Sequence, residues 1–347
     1  MKSIKKYYSV ELLRYLAAIA VLVVHYKLFF FPFYSNSELN HFKYQDLQPF
    51  YSSLKYFYEF GFYGVPMFWT ISGFVFAHVY LNKKNNFKEF FYNRLGRLYP
   101  LHLLTLLIVL FLQIINFYYF NKFQIFENND TYHFFLNFFF ISGWGFEKGY
   151  SFNNPIWSVS VEIAVYFIFY LSLFQIKKNN LKFLILIFIF FLLLDESDYD
   201  IFFFRCAKLF FLGVIIYKIN LFKIFKLKLT LISIILIIIN FKIGFKATLF
   251  FPSLLLLFVS LENYFIKIKK FSSFLGNQTY SIYLIHIPLQ LCVILFFDFF
   301  NLDNLIFLKK IFFISYIFFT MIVSTLIFKY FEKPLNIYIR NYFLKKI

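Results

Sequence analysis

The sequence predicts an all-α polytopic membrane protein of about ten transmembrane helices, and three observations support this. Of the 347 residues, 61% are hydrophobic, whereas soluble domains are about 45–50% apolar. The apolar residues form runs near the ~20 residues that a helix needs to cross a bilayer. Basic residues concentrate in alternate loops, which is the topology signal of membrane proteins. The formal charge of +18 is therefore assigned to topology, and no nucleic-acid partner is expected.

Ten apolar runs give the predicted helices in order, and the fifth and seventh are short. They cover residues 10–31, 60–81, 98–118, 155–176, 181–194, 201–219, 229–240, 247–265, 275–297 and 305–331. A further apolar run at 132–141 is too short to span and predicts an interfacial or re-entrant helix. No repeat or linker divides the chain, so residues 1–347 are expected to form one membrane domain with no fused soluble domain.

The loop charges predict the orientation of these helices. Basic residues occupy the start, the even-numbered loops and the end, at 2–6, 83–97, 177–178, 218–228, 267–270 and 333–346. The intervening loops are neutral or acidic, most clearly at 195–200, and only the loop with Lys242 and Lys246 departs from the pattern. The positive-inside rule then predicts both termini in the cytoplasm. No small-residue cleavage site follows the first apolar run, so a retained helix is expected.

The first predicted helix carries three polar groups, Glu11, Arg14 and His25. At about 100° per residue, Arg14 and His25 point roughly the same way, with Glu11 about 40–60° from them. A charge at the centre of a membrane helix costs at least ~2.5–3.5 kcal/mol, so such residues usually serve a function. For Glu11 and Arg14 the alternative is a position at the headgroup level.

Depth arguments connect His25 with Glu162 in the fourth predicted helix. His25 lies roughly 22 Å from the cytoplasmic end of its helix, and Glu162 lies about 10 Å below the outer surface. A carboxylate and an imidazole at one depth predict an acid/base pair, in which the glutamate holds the ring's tautomer. The alternative is that Glu162 is a structural hydrogen-bonding residue next to serines and Trp157.

Two further regions carry candidate residues at the predicted cytoplasmic side. Arg94 and Arg97 lie on one face of any helix there, and the planar guanidinium suits phosphate. An ordinary basic anchor is the alternative. Glu332, at the predicted end of the tenth helix before Pro334, is expected to face one of these arginines.

The second and ninth predicted helices contain residues that break regular helix or allow close packing. Pro66 predicts a kink in the second helix, and Ser72 with Gly73 favours close helix packing near mid-membrane. In the ninth helix, His286 lies near the midplane beside Pro288. It either satisfies the backbone that this proline frees or lines a cavity.

Taken together, six segments resemble the membrane-bound acyltransferase 3 family, which O-acylates sugars of bacterial surface polysaccharides. They are Glu11-x-x-Arg14 with His25, the run from Gly64 to Phe74, Arg94-x-x-Arg97 with Pro100, the run from Pro155 to Glu162, the run from Tyr280 to Pro288, and Glu332-x-Pro334. The segments stand in the family's order across nearly the whole chain. Glu11 and Pro66 are departures, because the family often has Asp at both positions.

The resemblance implies an acyl-CoA donor, commonly acetyl-CoA, on the cytoplasmic side of a bacterial inner membrane, and a sugar acceptor, free or lipid-linked, outside. It implies catalytic roles for His25 and Glu162 and donor binding by Arg14, Arg94 and Arg97. The supporting residues are expected to be Glu11, Ser72, Trp157, His286 and Glu332. No bound cofactor or metal is expected, and Cys206 and Cys292 are interpreted as packing residues.

The predicted function is transfer of an acetyl or other acyl group to a sugar hydroxyl of a capsule, lipopolysaccharide or related precursor. His25 either deprotonates the hydroxyl or itself carries the acyl group. The alternative is a transporter or flippase for a lipid-linked or anionic sugar, since charges inside membrane helices also mark transport pathways. A structural partner in an export complex is a third possibility, but it leaves those charges unexplained.

Overall fold

A computed structural model describes residues 6–30, 45–82, 86–178, 181–196, 202–221 and 226–344. Within these residues the chain is all-helical, with 85% helix and no strands. The predicted helical class is therefore confirmed. Part of the charge pattern used for orientation lies outside the described residues, namely Lys2, Lys5, Lys83, Lys84, Asp198, Asp200, Lys223, Lys345 and Lys346.

Fifteen α-helices occupy the described part of the chain, and each predicted apolar run overlaps at least one of them. The first eight are α1 Tyr8–Tyr26, α2 Tyr51–Phe60, α3 Gly64–Tyr80, α4 Phe87–Phe120, α5 Thr131–Phe138, α6 Ile156–Lys177, α7 Leu181–Asp195 and α8 Phe202–Leu221. The others are α9 Lys226–Lys242, α10 Ala247–Ser260, α11 Glu262–Phe265, α12 Lys269–Asn277, α13 Thr279–Phe299, α14 Lys310–Ile327 and α15 Lys333–Leu344. The short helix α5 coincides with the apolar run predicted at 132–141, and its interfacial or re-entrant placement stays a prediction.

Several helical segments are long and apolar enough to cross a bilayer. Among the described residues there are six: Tyr8–Phe29, Tyr51–Tyr80, Phe87–Phe120, Ile156–Lys177, Glu262–Phe299 and Lys310–Phe343. Helix α10 is apolar but shorter. The chain is thus a multi-pass membrane protein, while ten crossings and cytoplasmic termini stay predictions.

Two helices extend beyond the boundaries that the sequence predicted. Helix α4 begins at Phe87, so Arg94 and Arg97 belong to a 34-residue helix rather than to a loop. The tenth predicted helix does not end near Pro334, because a π-turn at Phe328–Glu332 leads directly into α15. There the Lys333 N–H donates to Phe328 O, five residues back. Pro334 follows this π-turn directly, where the regular i→i−4 bonding of the helix is already interrupted.

The predicted kink at Pro66 corresponds to an interruption just before it. A 3₁₀ turn at Gly61–Tyr63 separates α2 from α3. Pro66 therefore lies in the first turn of α3, where no intrahelical bond from its nitrogen is needed.

The chain divides into two compact units, and the first contains residues 1–17, 63–87 and 160–277. Its best-packed pair is α3 with α8, which meet at glycines on both sides. A Cβ at Gly73 would collide with Phe210 O, and one at Gly213 would collide with Thr70 O. Only glycine allows this backbone approach. The close packing predicted at Gly73 is confirmed.

The second unit contains residues 18–62, 88–159 and 278–347. Its apolar core joins the end of α1, the middle of α4 and α13, with Leu28, Leu106 and Leu291 all buried. Phe126 and Phe152, from the long connection between α4 and α6, are also buried in this core. The second unit therefore brings together parts of the chain that are far apart in sequence.

Candidate active site

In the first unit, the polar residues at the start of α1 form an ion pair. Arg14 Nη1 lies 3.7 Å from Glu11 Oε2, and both side chains are partly exposed. Glu11 also packs so closely on Gly276 that a side chain at that position would collide with its carboxylate. Arg14 and Glu11 therefore contact each other directly. Ser72 lies half-buried on α3.

Sequence reasoning missed a second carboxylate in this unit, Glu262. It accepts hydrogen bonds from Tyr8 N at 2.8 Å, Ser9 N at 2.9 Å and Ser9 Oγ at 2.5 Å. An anion at this place satisfies the free N–H groups at the start of α1 and opposes the helix dipole. The one available signal was an acidic residue beside an otherwise basic segment.

Glu162 is buried on α6 within the first unit. His25 belongs to the second unit. The predicted pairing of these two residues stays a prediction.

In the second unit, α13 is the element that positions the candidate residues. Near its start, Tyr280 Oη donates to Leu98 O of α4 at 2.8 Å. One turn further, Tyr283 Oη donates to Pro155 O at 2.9 Å and lies 2.7 Å from Ser158 Oγ. This helix therefore holds both the arginine-bearing helix α4 and the turn that carries Trp157 at the start of α6.

A buried carboxylate lies next to the first turn of α13. Glu332, only 2% exposed, accepts from Ser281 Oγ at 2.5 Å, and its Oε1 lies 3.2 Å from Arg97 Nη1. Burying an anion is costly unless a charge and hydrogen bonds compensate it, and both are present here. The expectation that Glu332 faces an arginine is confirmed for Arg97. Arg94 lies one turn earlier on α4.

Two histidines meet further along α13. His286 Nε2 lies 3.0 Å from His25 Nδ1, and the ring centroids are 5.0 Å apart with the planes inclined by 25°. Gln290, one turn beyond, donates to His25 O at 3.1 Å. His286 follows Ser281 by five residues, which places the histidine pair about 7.5 Å further along the helix axis.

The carbonyl that Pro288 frees has a hydrogen-bond donor. Proline has no N–H, so Pro288 frees the carbonyl of Leu284, four residues earlier. That carbonyl accepts instead from Asn153 Nδ2 at 2.9 Å. His286 Nδ1 lies 3.1 Å from a different carbonyl of the same helix, Ile282 O, and both interpretations of His286 stay predictions.

The connection between α4 and α6 contains further ionisable groups outside the membrane-spanning segments. The backbone N–H of His133 donates to Asp130, which caps α5, and this bond lowers the pKa of the aspartate. Burial raises the pKa of Glu147 to about 7, although Ser151 Oγ donates to it at 3.0 Å. No motif pointed to Glu147, because its burial depends on the folded connection.

The sequence model of the acyltransferase 3 family, described as an acyltransferase domain, matches residues 7–329. Comparison with curated proteins and with solved structures found no match for the chain. The match covers α1 to α14 and includes every predicted catalytic and donor-binding residue. The chain thus belongs to the acyltransferase 3 family and is a membrane acyltransferase, with an acyl donor and an acceptor as its substrates.

Proposed function

We propose that this protein transfers an acetyl group from acetyl-CoA to a sugar hydroxyl of a cell-surface polysaccharide, such as a capsule or lipopolysaccharide, or of its lipid-linked precursor. The reaction would take place at a bacterial cytoplasmic membrane. The observation that carries the proposal is that α13 contacts both His25 and, through Ser281 and Glu332, Arg97. A candidate base and a candidate phosphate-binding residue of the family's motifs thus belong to one compact unit.

His25 is the general base in this proposal. It removes the proton from the acceptor hydroxyl as the oxygen attacks the thioester carbonyl. The carbon–sulfur bond then breaks, and the CoA thiolate leaves with the proton that His25 had taken. The products are an O-acyl sugar and free CoA, and the histidine returns to its neutral form.

Donor binding is assigned to the arginines of α4. Arg97 is 27% exposed, so its guanidinium is accessible while one edge faces Glu332. The fork of donors on its other edge suits a CoA phosphate. Arg94, one turn away, is the second donor-binding residue, and Arg14 with Glu11 is assigned to the donor entrance in the first unit.

The remaining candidates complete the proposal. Ten crossings with cytoplasmic termini in one membrane domain would place the arginines on the side where acyl-CoA is made. Glu162 is assigned as the second catalytic group, an acid/base partner on the acceptor side. Trp157 and Ser72 are assigned supporting roles in the transfer.

The decisive test is His25→Ala in the producing strain. We expect O-acetylation of the surface polysaccharide, measured by proton NMR, to disappear while the protein stays in the membrane at the wild-type amount. His78→Ala is the matched control, since His78 is a half-buried histidine of α3. Normal acetylation in the His25→Ala strain would refute the proposal, and comparison with a deletion strain would identify the acyl group and its position.

Transport of a lipid-linked sugar is the alternative that the same strains exclude or support. A transporter does not consume acyl-CoA. If the polysaccharide is unmodified in wild type and accumulates inside the deletion strain, the transfer reaction is wrong. The family match favours acyl transfer over this alternative.

A further inference from the structure

We propose that His286 is a positioning residue that holds His25 in the tautomer with the proton on Nδ1 and the lone pair on Nε2. The inference deepens the proposed function, since it rests on His25 being the base. It assigns to a second histidine the role that a carboxylate has in many catalytic sites.

The hydrogen bonds of His286 determine its own tautomer. Its Nδ1 lies 3.1 Å from Ile282 O. A carbonyl oxygen only accepts, so Nδ1 must carry the hydrogen. A neutral imidazole has a single N–H, which leaves Nε2 of His286 as an acceptor.

The tautomer of His25 follows from that of His286. His25 Nδ1 faces this Nε2 at 3.0 Å. Two lone pairs would repel at this distance, whereas an N–H on His25 Nδ1 makes a hydrogen bond of normal length. The single proton of neutral His25 therefore lies on Nδ1, and its Nε2 keeps the lone pair that a base needs.

The backbone around both rings is held in place by other side chains. Tyr316 Oη of α14 donates to His286 O at 2.8 Å, and Gln290 Nε2 donates to His25 O at 3.1 Å. His286 is only 1% exposed. The carbonyl that Pro288 frees accepts from Asn153.

The contact with His286 also stabilises the protonated form of His25. When His25 Nε2 takes the hydroxyl proton, the ring becomes an imidazolium, and its Nδ1–H still donates to His286. Hydrogen bonds from a charged donor are stronger than neutral ones. His286 thus stabilises the protonated base from its Nδ1 side, and it contacts neither substrate in this scheme.

Two variants separate positioning from packing. His286→Met keeps a side chain of similar size but removes the acceptor, and we expect kcat to fall about 100-fold with KM for acetyl-CoA unchanged. His286→Gln supplies an amide oxygen near the place of Nε2 and should recover most of kcat. His102→Met is the control, because His102 is an equally buried histidine of the second unit that contacts Asn137 O. Full activity of His286→Met, or His286→Gln as inactive as His286→Met, would overturn the inference.

A spectroscopic test does not depend on activity. In full-length protein labelled with nitrogen-15 histidine, the His25 signals are identified by their loss in His25→Gln. We expect a protonated Nδ1 and an unprotonated Nε2 in wild type and in His286→Gln, with the balance shifting towards protonated Nε2 in His286→Met. An Nε2-protonated His25 in wild type would overturn the inference. If His25→Ala stays active but this tautomer is observed, the proposed function fails while the structural assignment stands.

Discussion

Two buried glutamates, Glu262 in the first unit and Glu332 in the second, differ in what compensates their charge. Glu262, 3% exposed, accepts from the start of α1, where its donors among the described residues are two backbone N–H groups and one serine hydroxyl. Glu332 accepts from one serine and faces the guanidinium of Arg97. The first carboxylate caps a helix end, whereas the second pairs with Arg97, a long side chain that is itself partly exposed.

The comparison shows that burial of a carboxylate does not by itself mark a functional site. Backbone amides cannot be withdrawn to bind a ligand, so a carboxylate they satisfy is structural. A partly exposed arginine can bind a second anion while the buried carboxylate keeps it oriented. The nature of the partner therefore separates the two roles, and substitutions at the two positions should have different consequences.

The largest expected effect is that of Glu332→Gln on donor binding. The amide still accepts from Ser281 but no longer attracts Arg97, whose side chain is then free to take other orientations. Losing a charged hydrogen-bond partner costs about 1.5–3 kcal/mol, so we expect KM for acetyl-CoA to rise about tenfold. Initial rates measured against acetyl-CoA concentration test this.

Arg97→Gln in the Glu332→Gln background is the control for this substitution. If Glu332 acts through Arg97, the double variant should bind the donor no worse than Arg97→Gln alone. Additive losses would show that the two residues act independently, and would contradict the role assigned to Glu332.

A smaller effect, confined to stability, is expected for Glu262→Gln. The neutral amide loses its favourable interaction with the dipole of α1 and weakens the bonds to Tyr8 and Ser9. We expect a loss of about 1–2 kcal/mol, seen as a lower Tm in detergent. KM and kcat per folded molecule should equal those of wild type, and a raised KM would contradict the structural assignment.

The smallest and most conditional effect concerns Glu147, whose one described side-chain donor is Ser151. Its pKa rises from an ordinary 4.5 to about 7 because it is buried. Between these values the folded protein keeps a proton that the unfolded chain has lost, so stability falls as pH rises through this window. Glu147→Gln stays neutral and should remove this fall, making the variant more stable above pH 7 by on the order of 0.5–1 kcal/mol, since water screens the half-buried carboxylate. Melting curves across the window measure the difference.

Much of the fold could be predicted because each membrane helix is encoded by a continuous apolar run of the sequence. A helix in lipid must satisfy its own backbone, so each apolar run of sufficient length coincides with a helix. The boundaries were less predictable: the basic start of α4 is helical from Phe87, and the π-turn before Pro334 carries the last helix on to Leu344. Neither depends on hydropathy.

The position of each candidate residue along its helix could be predicted from the sequence, but the direction in which its side chain points around the helix axis could not. Spacing places His25 along α1 but does not reveal which helix it faces, and its observed partner His286 is 261 residues away. The contact of Arg97 with Glu332 could be predicted, because two opposite charges at one predicted membrane surface tend to compensate each other. The cap by Glu262 depends on α11 meeting the start of α1, which no local pattern encodes.

The π-turn at Phe328–Glu332 has a consequence for how this chain can vary. A π-turn is equivalent to one extra residue inserted into an α-helix. Deleting one residue within Phe328–Phe331 would therefore convert the wide turn into regular α-helix and leave the residues after it on the same face. Deleting one residue from the regular part of α14 would instead rotate Glu332 by about 100° and carry its carboxylate away from Ser281 and Arg97. This segment can thus absorb a change of one residue that α14 cannot.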